Sequence, residues 1–431
     1  MPETIFALSS GSPPAGIAVI RISGPDASRT LQALAHRLPR PRHVSLATLT
    51  DPRDGSELDR TLVLWLPGPR TATGEDCAEL HLHGGRAVVR AVEDVLHHLG
   101  LRQAQSGEFT RRSFINGRID LAEAEGLADL LSAETELQRR TAQAMASGVL
   151  SFHVEQWRTI VLGLSAMLEA ALDFSDEDDV GDDASSLPAG FVGGCRSLGE
   201  ELAQWLSRPR AEPLKEGFRV VLAGPPNAGK STLFNALVEA DAAITAPEPG
   251  TTRDVITRGV AIEGVPFTFI DTAGLRDEGA GSVELIGIAR ARVEAERADL
   301  VLWLGPEGEG PTGAPLWEIA AQADRPLATA KATPRHRLSA LTGIGLAELR
   351  RDLVDLARSA LPLPGEAALN SRQHRCLGQV AGALAEATTQ TDALLAAENM
   401  RLARLALDAL VGRSGTEDML DALFGRFCIG K

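Results

Sequence analysis

Residues 218–238 read FRVVLAGPPNAGKSTLFNALV. The opening FRVVLA is an apolar, partly β-branched run bounded by glycines, the pattern of a strand buried on both faces of a sheet. The closing STLFNALV has the spacing of a helix. Between them GPPNAGKS, residues 224–231, matches G-x-x-x-x-G-K-[ST] in the strand-to-helix setting that this motif requires. The backbone N–H groups of such a loop and the N-terminus of the following helix form a nest for phosphate. Asn227, Ala228, Gly229 and Thr232 belong to that nest. Lys230 brings a compact charge to the β- and γ-phosphates, where a planar guanidinium would not thread the loop. The Ser231 hydroxyl is placed to reach Mg²⁺.

Outward from this loop, strands and helices alternate. VAIEG and PFTFID read as strands, VELIGIARARVEAERA as a helix, and LVLWLG and PLATA as further strands. That alternation predicts a doubly wound α/β domain over 213–362 with a largely parallel sheet. DTAG (Asp271, Thr272, Ala273, Gly274) ends the strand PFTFI. An Asp there holds the Mg²⁺ shell through water, and the Gly274 N–H can donate to the γ-phosphate. Upstream, GTTRD places Gly250, Thr251 and Thr252 in a loop, where Thr252 can join the Mg²⁺ shell when triphosphate is bound. The three motifs in this order indicate a GTPase switch domain. Leu275 follows DTAG where a water-orienting Gln is common, so that role must come from elsewhere. Glu284 is the nearest acidic candidate. It reads either as the water-orienting group or as a helix N-terminal carboxylate stabilised by the dipole.

The flanks are of another kind. Residues 1–118 mix short β-like runs (IFALSS, IAVIRIS, TLVLWLP, AELHLHG) with a helix near 88–99, which reads as α+β. Residues 119–212 and 363–431 are helical, including one long amphipathic run over 121–151, another over 383–411 and a short helix over 416–427. The acidic run DFSDEDDVGDD (173–183) reads as a solvated loop rather than a metal site. The expected architecture is an N-terminal α+β domain followed by an α-helical domain into which the α/β domain is inserted.

Composition sets outer limits. A chain of 431 residues holds two to four domains. Its net charge of −15 excludes a general nucleic-acid binder, since an acidic chain gains little from counterion release. The four cysteines are scattered with no C-x-x-C, which fits a reducing cytosol and opposes a structural zinc site. No apolar run is long enough for a bilayer. MPETIFALSSGSPP lacks the basic region and long apolar core of a secretory signal, so the expected location is the cytoplasm with no membrane contact. Lysine is scarce, with only four against 39 arginines, yet Lys431 stands at the last position, three residues after Cys428.

PPAGIAVIRISG, GEDCAELHLHGG, GEFTRRSFINGRIDLAEAEGLADLL, GPPNAGKSTLFNAL, GTTRD, DTAGLR and the terminal FCIGK together resemble the MnmE (TrmE) family of tRNA-modification GTPases along nearly the whole chain. The resemblance implies a folate-binding-like N-terminal domain that forms a homodimer, and a Ras-like G domain inserted in the helical one. It also implies a heterotetramer with an FAD-containing partner, MnmG (GidA). The complex acts on tRNA and adds a (carboxymethyl)aminomethyl group at C5 of the wobble uridine. By resemblance, Arg21, Glu79, Arg118 and Lys431 contact 5,10-methylenetetrahydrofolate or 5-formyltetrahydrofolate, and Cys428 serves the tRNA chemistry. K⁺ is held by the Asn227 side chain and by Ala246, Glu248 and Thr251 in the loop that also contains Pro247 and Pro249, and Glu284 positions the attacking water. One departure stands out. The family's guanine-reading N-K-x-D, expected after PLATA, reads Ala330-Lys331-Ala332-Thr333, which leaves Lys331 to lie along the base and Ser339, Ala340 and Leu341 to supply backbone contacts. That predicts relaxed base selectivity. Two rival readings share the switch motifs: a ribosome-assembly GTPase of the Era or Der kind, and a degenerate scaffold.

Overall fold

The computed structural model describes residues 3–173, 187–239, 256–271, 294, 296–325, 331–414, 417–425 and 427–430. It divides into two compact units, Met1–Ala128 with Leu405–Lys431, and Asp129–Arg404.

The first unit is built on six strands: β1 (Ile5–Leu8), β2 (Ala15–Ser23), β3 (Ser45–Thr50), β4 (Glu57–Leu66), β5 (Cys77–Gly84) and β6 (Arg102–Gln103). Their order is β3-β4-β5-β2-β1-β6, antiparallel throughout except β1 with β6. Period-2 alternation sends Ile20, Ile22, Leu80 and Leu82 into a core shared with α1 (Ala27–Ala35) and α2 (Arg86–His98). The same alternation turns Arg21 and Glu79, which face each other across β2 and β5, to the opposite side. There α3 (Glu108–Ile115) packs Phe109 against Ile5 and Ala7. The helix Glu417–Phe424 closes this side. Phe424 and Phe427 pack on Ala124 of α4 (Leu121–Ser132). Gly107 must be glycine, because a Cβ there would meet the Phe424 carbonyl oxygen at 2.2 Å with φ at +67°.

The second unit joins helices to the α/β sheet. The long run expected over 121–151 is broken into α4, α5 (Glu136–Ala146) and the start of α6 (Val149–Asp173). Thr135 and Gln138 form a capping box that restarts the chain at α5, and Gly148 with φ +79° turns it again. The run over 383–411 is likewise two helices, Ser371–Ala387 and Ala393–Leu410. Residues α7 (Phe191–Leu206) and α8 (Ala211–Glu216) lead into β7 (Phe218–Ala223), and α9 (Lys230–Glu239) follows the phosphate loop. With β8 (Ile256–Ile262), β9 (Val265–Asp271), β10 (Leu300–Trp303), β11 (Leu316–Ala320) and β12 (His336–Arg337), the sheet order is β12-β11-β10-β7-β9-β8, parallel except for β8.

The β10–β11 link is the surprise. Parallel neighbours usually need a crossover helix, yet residues 304–315 carry none. They wrap around Trp303 instead. Its indole N–H donates to the Pro306 carbonyl at 2.7 Å, and Gly305 and Gly310 lie so close that a Cβ would meet the ring at 2.3 and 3.2 Å respectively. The strand beside β10 is therefore Leu316–Ala320, and the expected strand PLATA falls at 326–330, outside the described residues. Most of the expected helix VELIGIARARVEAERA also lies outside them.

Candidate functional site

The phosphate loop is set by backbone constraints. Gly224 has φ +148°, and a Cβ there would meet Gly305 N and Leu304 C at 3.1 Å, so only glycine fits between β7 and β10. Lys230 is 7% exposed, and its ammonium donates to the carbonyls of Gly224 and Pro225 at 2.9 Å each. It is thus held across its own loop. Leu222 pairs with Asp271 between β7 and β9, which carries the Asp271 carboxylate to the loop. There it accepts the Ser231 hydroxyl at 2.7 Å. Two hard oxygens at the mouth of an N–H nest suit Mg²⁺ beside a polyphosphate. Asn227 is exposed with φ +60°, a left-handed conformation that Asn tolerates better than most residues. Ala246, Pro247, Glu248, Pro249, Gly250, Thr251, Thr252, Thr272, Ala273, Gly274 and Glu284 lie outside the described residues.

Beside the loop is a pocket lined by Gly229 and Thr232, by Gln322 and Asp324 after β11, and by Ala340 and Leu341 after β12. The Ala323 N–H donates to the Leu338 carbonyl at 3.0 Å and ties the two loops together. Asp324 accepts a side-chain hydrogen bond from buried Ser339, which with its own backbone N–H holds its carboxyl below the usual range. Gln322 reaches the phosphate loop, donating to the Asn227 carbonyl at 2.9 Å.

Lys331, expected to lie along the base, makes its contacts away from this pocket. It is 2% exposed, and its ammonium donates to the Trp303 carbonyl at 2.7 Å and pairs with Glu318 at 2.5 Å. Thr333 is also engaged away from the pocket, its hydroxyl and N–H both donating to Glu307. The physical reason is the helix-free β10–β11 link. It brings β11 into the sheet earlier than apolar composition suggested. The loop that leaves β11 toward the phosphate site is Ala321-Gln322-Ala323-Asp324, which carries an Asp. Gln322 and Asp324 were missed for that reason. The signal was there in PLWEIA, a strand-like run that ends four residues before an Asp.

In the first unit, Arg21 donates from Nε and Nη2 to Glu79 Oε1 at 3.1 and 3.0 Å. His81 Nε2 stands 3.3 Å from Glu79 Oε2, and the Arg21 guanidinium lies 5.9 Å from the Phe109 ring centre. All three charged or polar groups are part-exposed, so a carboxylate held between a guanidinium and an imidazole nitrogen opens to solvent. The Arg118 stem rests on Gly74, whose Cβ would meet it at 3.2 Å. The chain's end approaches the same strands. Ile429 bridges to Ser106, and Gly430, with φ +95°, lies where a Cβ would meet the Leu8 carbonyl oxygen at 2.2 Å. Leu8 pairs with Ile20, next to Arg21. Cys428 is exposed and Lys431 lies outside the described residues. His81 and Phe109 were not singled out from sequence, although H-L-H alternation places His81 on the Glu79 face.

No described helix is long and apolar enough to cross a membrane. The family model for the GTP-binding protein TrmE N-terminus matches residues 4–118, and that for the MnmE helical domain matches 121–428. The tRNA modification GTPase MnmE of Novosphingobium aromaticivorans is 71% identical over 437 residues, covering 100% of both chains. That of Erythrobacter litoralis is 61% identical over 430 residues, again covering 100% of both. A solved structure of Era with MgGDPNP and 16S ribosomal RNA nucleotides is 24% identical, covers 39% of this chain and 66% of its own, and has a TM-score of 0.27, too low to add weight. The full-length matches disfavour the ribosome-assembly reading. With a phosphate loop, an Mg²⁺-suited oxygen pair and these relatives end to end, the chain belongs to the MnmE family of tRNA modification GTPases.

Proposed function

We propose that this GTPase is activated by K⁺. With an FAD-containing partner of the MnmG (GidA) kind, it installs a (carboxymethyl)aminomethyl group at C5 of the wobble uridine, using a one-carbon unit from 5,10-methylene- or 5-formyltetrahydrofolate. The observation that carries the GTPase half is the meeting of Lys230, Ser231 and Asp271 at one loop. On nucleotide binding, the Lys230 ammonium exchanges its two carbonyls for phosphate oxygens, a stronger charge-assisted contact. Ser231 and Asp271 would hold Mg²⁺, which would neutralise phosphate charge there. Asp324 accepts from guanine N1 and N2, with Ala340 and Leu341 supplying backbone around the base; this replaces Lys331 as the base contact.

Among the described residues, Asn227 is the one that would hold K⁺. It is exposed and carries a side-chain carbonyl oxygen, the hard donor that such a cation takes. Ala246, Glu248 and Thr251 would complete the shell, Thr252 would join that of Mg²⁺, and Glu284 would orient the water. K⁺ held there would supply positive charge to offset the charge that develops on the phosphates.

Arg21, Glu79 and Arg118 fit a folate. Glu79 offers carboxylate lone pairs to the N–H edge of a pterin, and Arg118 is a cation for a carboxylate. In this reading Cys428 and Lys431, at the end of the chain, serve that site. The domain plan is 1–118 for folate and dimerisation, 119–212 with 363–431 helical, and 213–362 for GTP. A homodimer through the first domain accounts for an apolar row left in water. Leu46 and Leu62 pair across β3 and β4 while 52% and 44% exposed. An acidic chain grips tRNA mainly through its partner, in the cytoplasm. The test is complementation of a strain lacking the family member, with the modified wobble uridine measured in bulk tRNA. Full growth with no modified nucleoside would overturn the reading.

A further inference from the structure

We propose that Arg112 and Asn116 are positioning residues for folate, which fasten the loop 71–76 beneath Arg118 and so fix where its cation meets the folate's carboxylate. The inference rests on the reading above, in which Arg118 takes that carboxylate.

The backbone of Arg118 is set by the helix before it. α3 ends at Ile115, and Gly117 follows Asn116 with φ +63°. The Gly117 N–H donates to the Phe114 carbonyl at 2.9 Å, and the Arg118 N–H to the Ser113 carbonyl at 2.8 Å. These are the two bonds of a Schellman motif, a tight left-handed close to a helix. Arg118 is therefore carried by α3, and a shift of the helix moves it.

The side chain is set by the loop between β4 and β5. The Arg118 stem lies against Gly74, where a Cβ would meet its Cγ at 3.2 Å and the Asn116 Cβ at 2.8 Å. The φ of +80° at Gly74 also asks for glycine. α3 and its cap hold that loop at two points. Asn116 Nδ2 donates to the Thr73 carbonyl at 2.7 Å. Arg112 Nη1 donates to Glu75 Oε2 at 3.0 Å, the two side chains being 13% and 19% exposed. Buried Ser23 donates to the same Glu75 oxygen at 2.7 Å and lies 2.7 Å from the buried Thr73 hydroxyl. Ser23 stands two positions beyond Arg21 on β2, roughly 7 Å along the strand. Loop, helix and the Arg21–Glu79 pair are thus bound into one frame. The far end of Arg118 is not committed. The residue is exposed, and among the described residues its guanidinium forms no ion pair. A cation on a fixed stem loses less freedom on meeting a ligand than a loose arginine would.

Isothermal titration of the full chain with 5-formyltetrahydrofolate and with 6-methyltetrahydropterin, which lacks the carboxylate arm, tests this. Asn116→Ala comes first, because the residue is exposed and its truncation should spare the fold. It should weaken 5-formyltetrahydrofolate about fivefold, within the range for one lost hydrogen bond, and leave the pterin within about twofold of wild type. Arg112→Met should act likewise, and Arg112→Lys, which keeps a cation beside Glu75, should recover most of the loss. In an Arg118→Ala background, Asn116→Ala should cost nothing further, because its effect runs through that side chain. An Asn116→Ala loss that persists without Arg118, an equal loss for the pterin alone, or no loss at all would overturn the positioning role. Arg112→Lys no better than Arg112→Met would take Arg112 out of it. A wild-type chain that does not bind 5-formyltetrahydrofolate, or an Arg118→Ala chain that binds it as tightly as wild type, would instead remove the folate reading, and the positioning role with it.

Discussion

Replacing Asp324 by Asn tests the base pocket with the least disturbance. The side chain keeps its size, and the remaining amide oxygen can still accept the Ser339 hydroxyl, so the loop after β11 should stay in place. One acceptor oxygen becomes an NH₂ donor. Against guanine, that donor meets the N2 amino group, donor to donor, and a bidentate contact is lost. Against xanthine, which has a carbonyl at C2, it meets an acceptor. A good bidentate pair discriminates by roughly 5- to 150-fold. GDP affinity should therefore fall by one to two orders of magnitude while XDP affinity rises. Because Ser339 holds the Asp324 carboxyl below the usual carboxylate range, it stays ionised from pH 5 upward, and wild-type preference for GDP over IDP should be flat between pH 5.5 and 8. Competition of GDP, IDP, XDP and ADP against fluorescent GDP measures all of this. Unchanged GDP preference in Asp324→Asn would show that another group reads the base, and the assignment of the pocket would be wrong.

Lys331→Ala should leave base preference intact but destabilise the second unit by about 3 kcal/mol, because the buried ammonium is lost and part-buried Glu318 is left without its cation; denaturant unfolding measures it, and a change in GDP-over-ADP preference with full stability would return Lys331 to the nucleotide. Burial is the main cause that holds His336 below its ordinary value of 6.5, outweighing the attraction of Asp352. The neutral ring is favoured in the fold, so its stability is intact above the unfolded value and drains away as pH falls through about 6.5 toward the lower folded value. Thermal unfolding should drop between pH 7.5 and 5.5, and His336→Gln should flatten that slope; an unchanged slope would rule His336 out. Deleting residues 428–431 should abolish the modified wobble uridine and weaken folate binding, since the tail lies against Leu8 of β1, the strand next to that of Arg21; normal tRNA modification in the deletion would give the tail no part in the chemistry.

What could be read from sequence was what is local. The phosphate loop needs consecutive residues, so GPPNAGKS and its flanks declared strand, nest and helix at once. IAVIRIS and AELHLHG gave their strands because one buried face imposes period 2. The pocket beside that loop was not local. It depends on which run enters the sheet beside β10, and that was decided by Trp303 and two glycines replacing a crossover helix. PLATA looked the better strand on composition alone, and the Asp in AQAD passed unnoticed. The broken helices are a milder case. The Thr135–Gln138 capping box was visible, but the apolar stripe runs through it. His81 and the Asn227–Gln322 contact are tertiary facts with no signal in spacing beyond strand alternation.

The most direct measurement of the central claim is steady-state GTP hydrolysis by the purified chain in matched KCl and NaCl, with ATP as control. The account predicts turnover of GTP that is strongly stimulated by K⁺ and little by Na⁺, with ATP left intact. GTP turnover that is equal in the two salts would contradict the cation site at Asn227, and no turnover in either would contradict the GTPase itself.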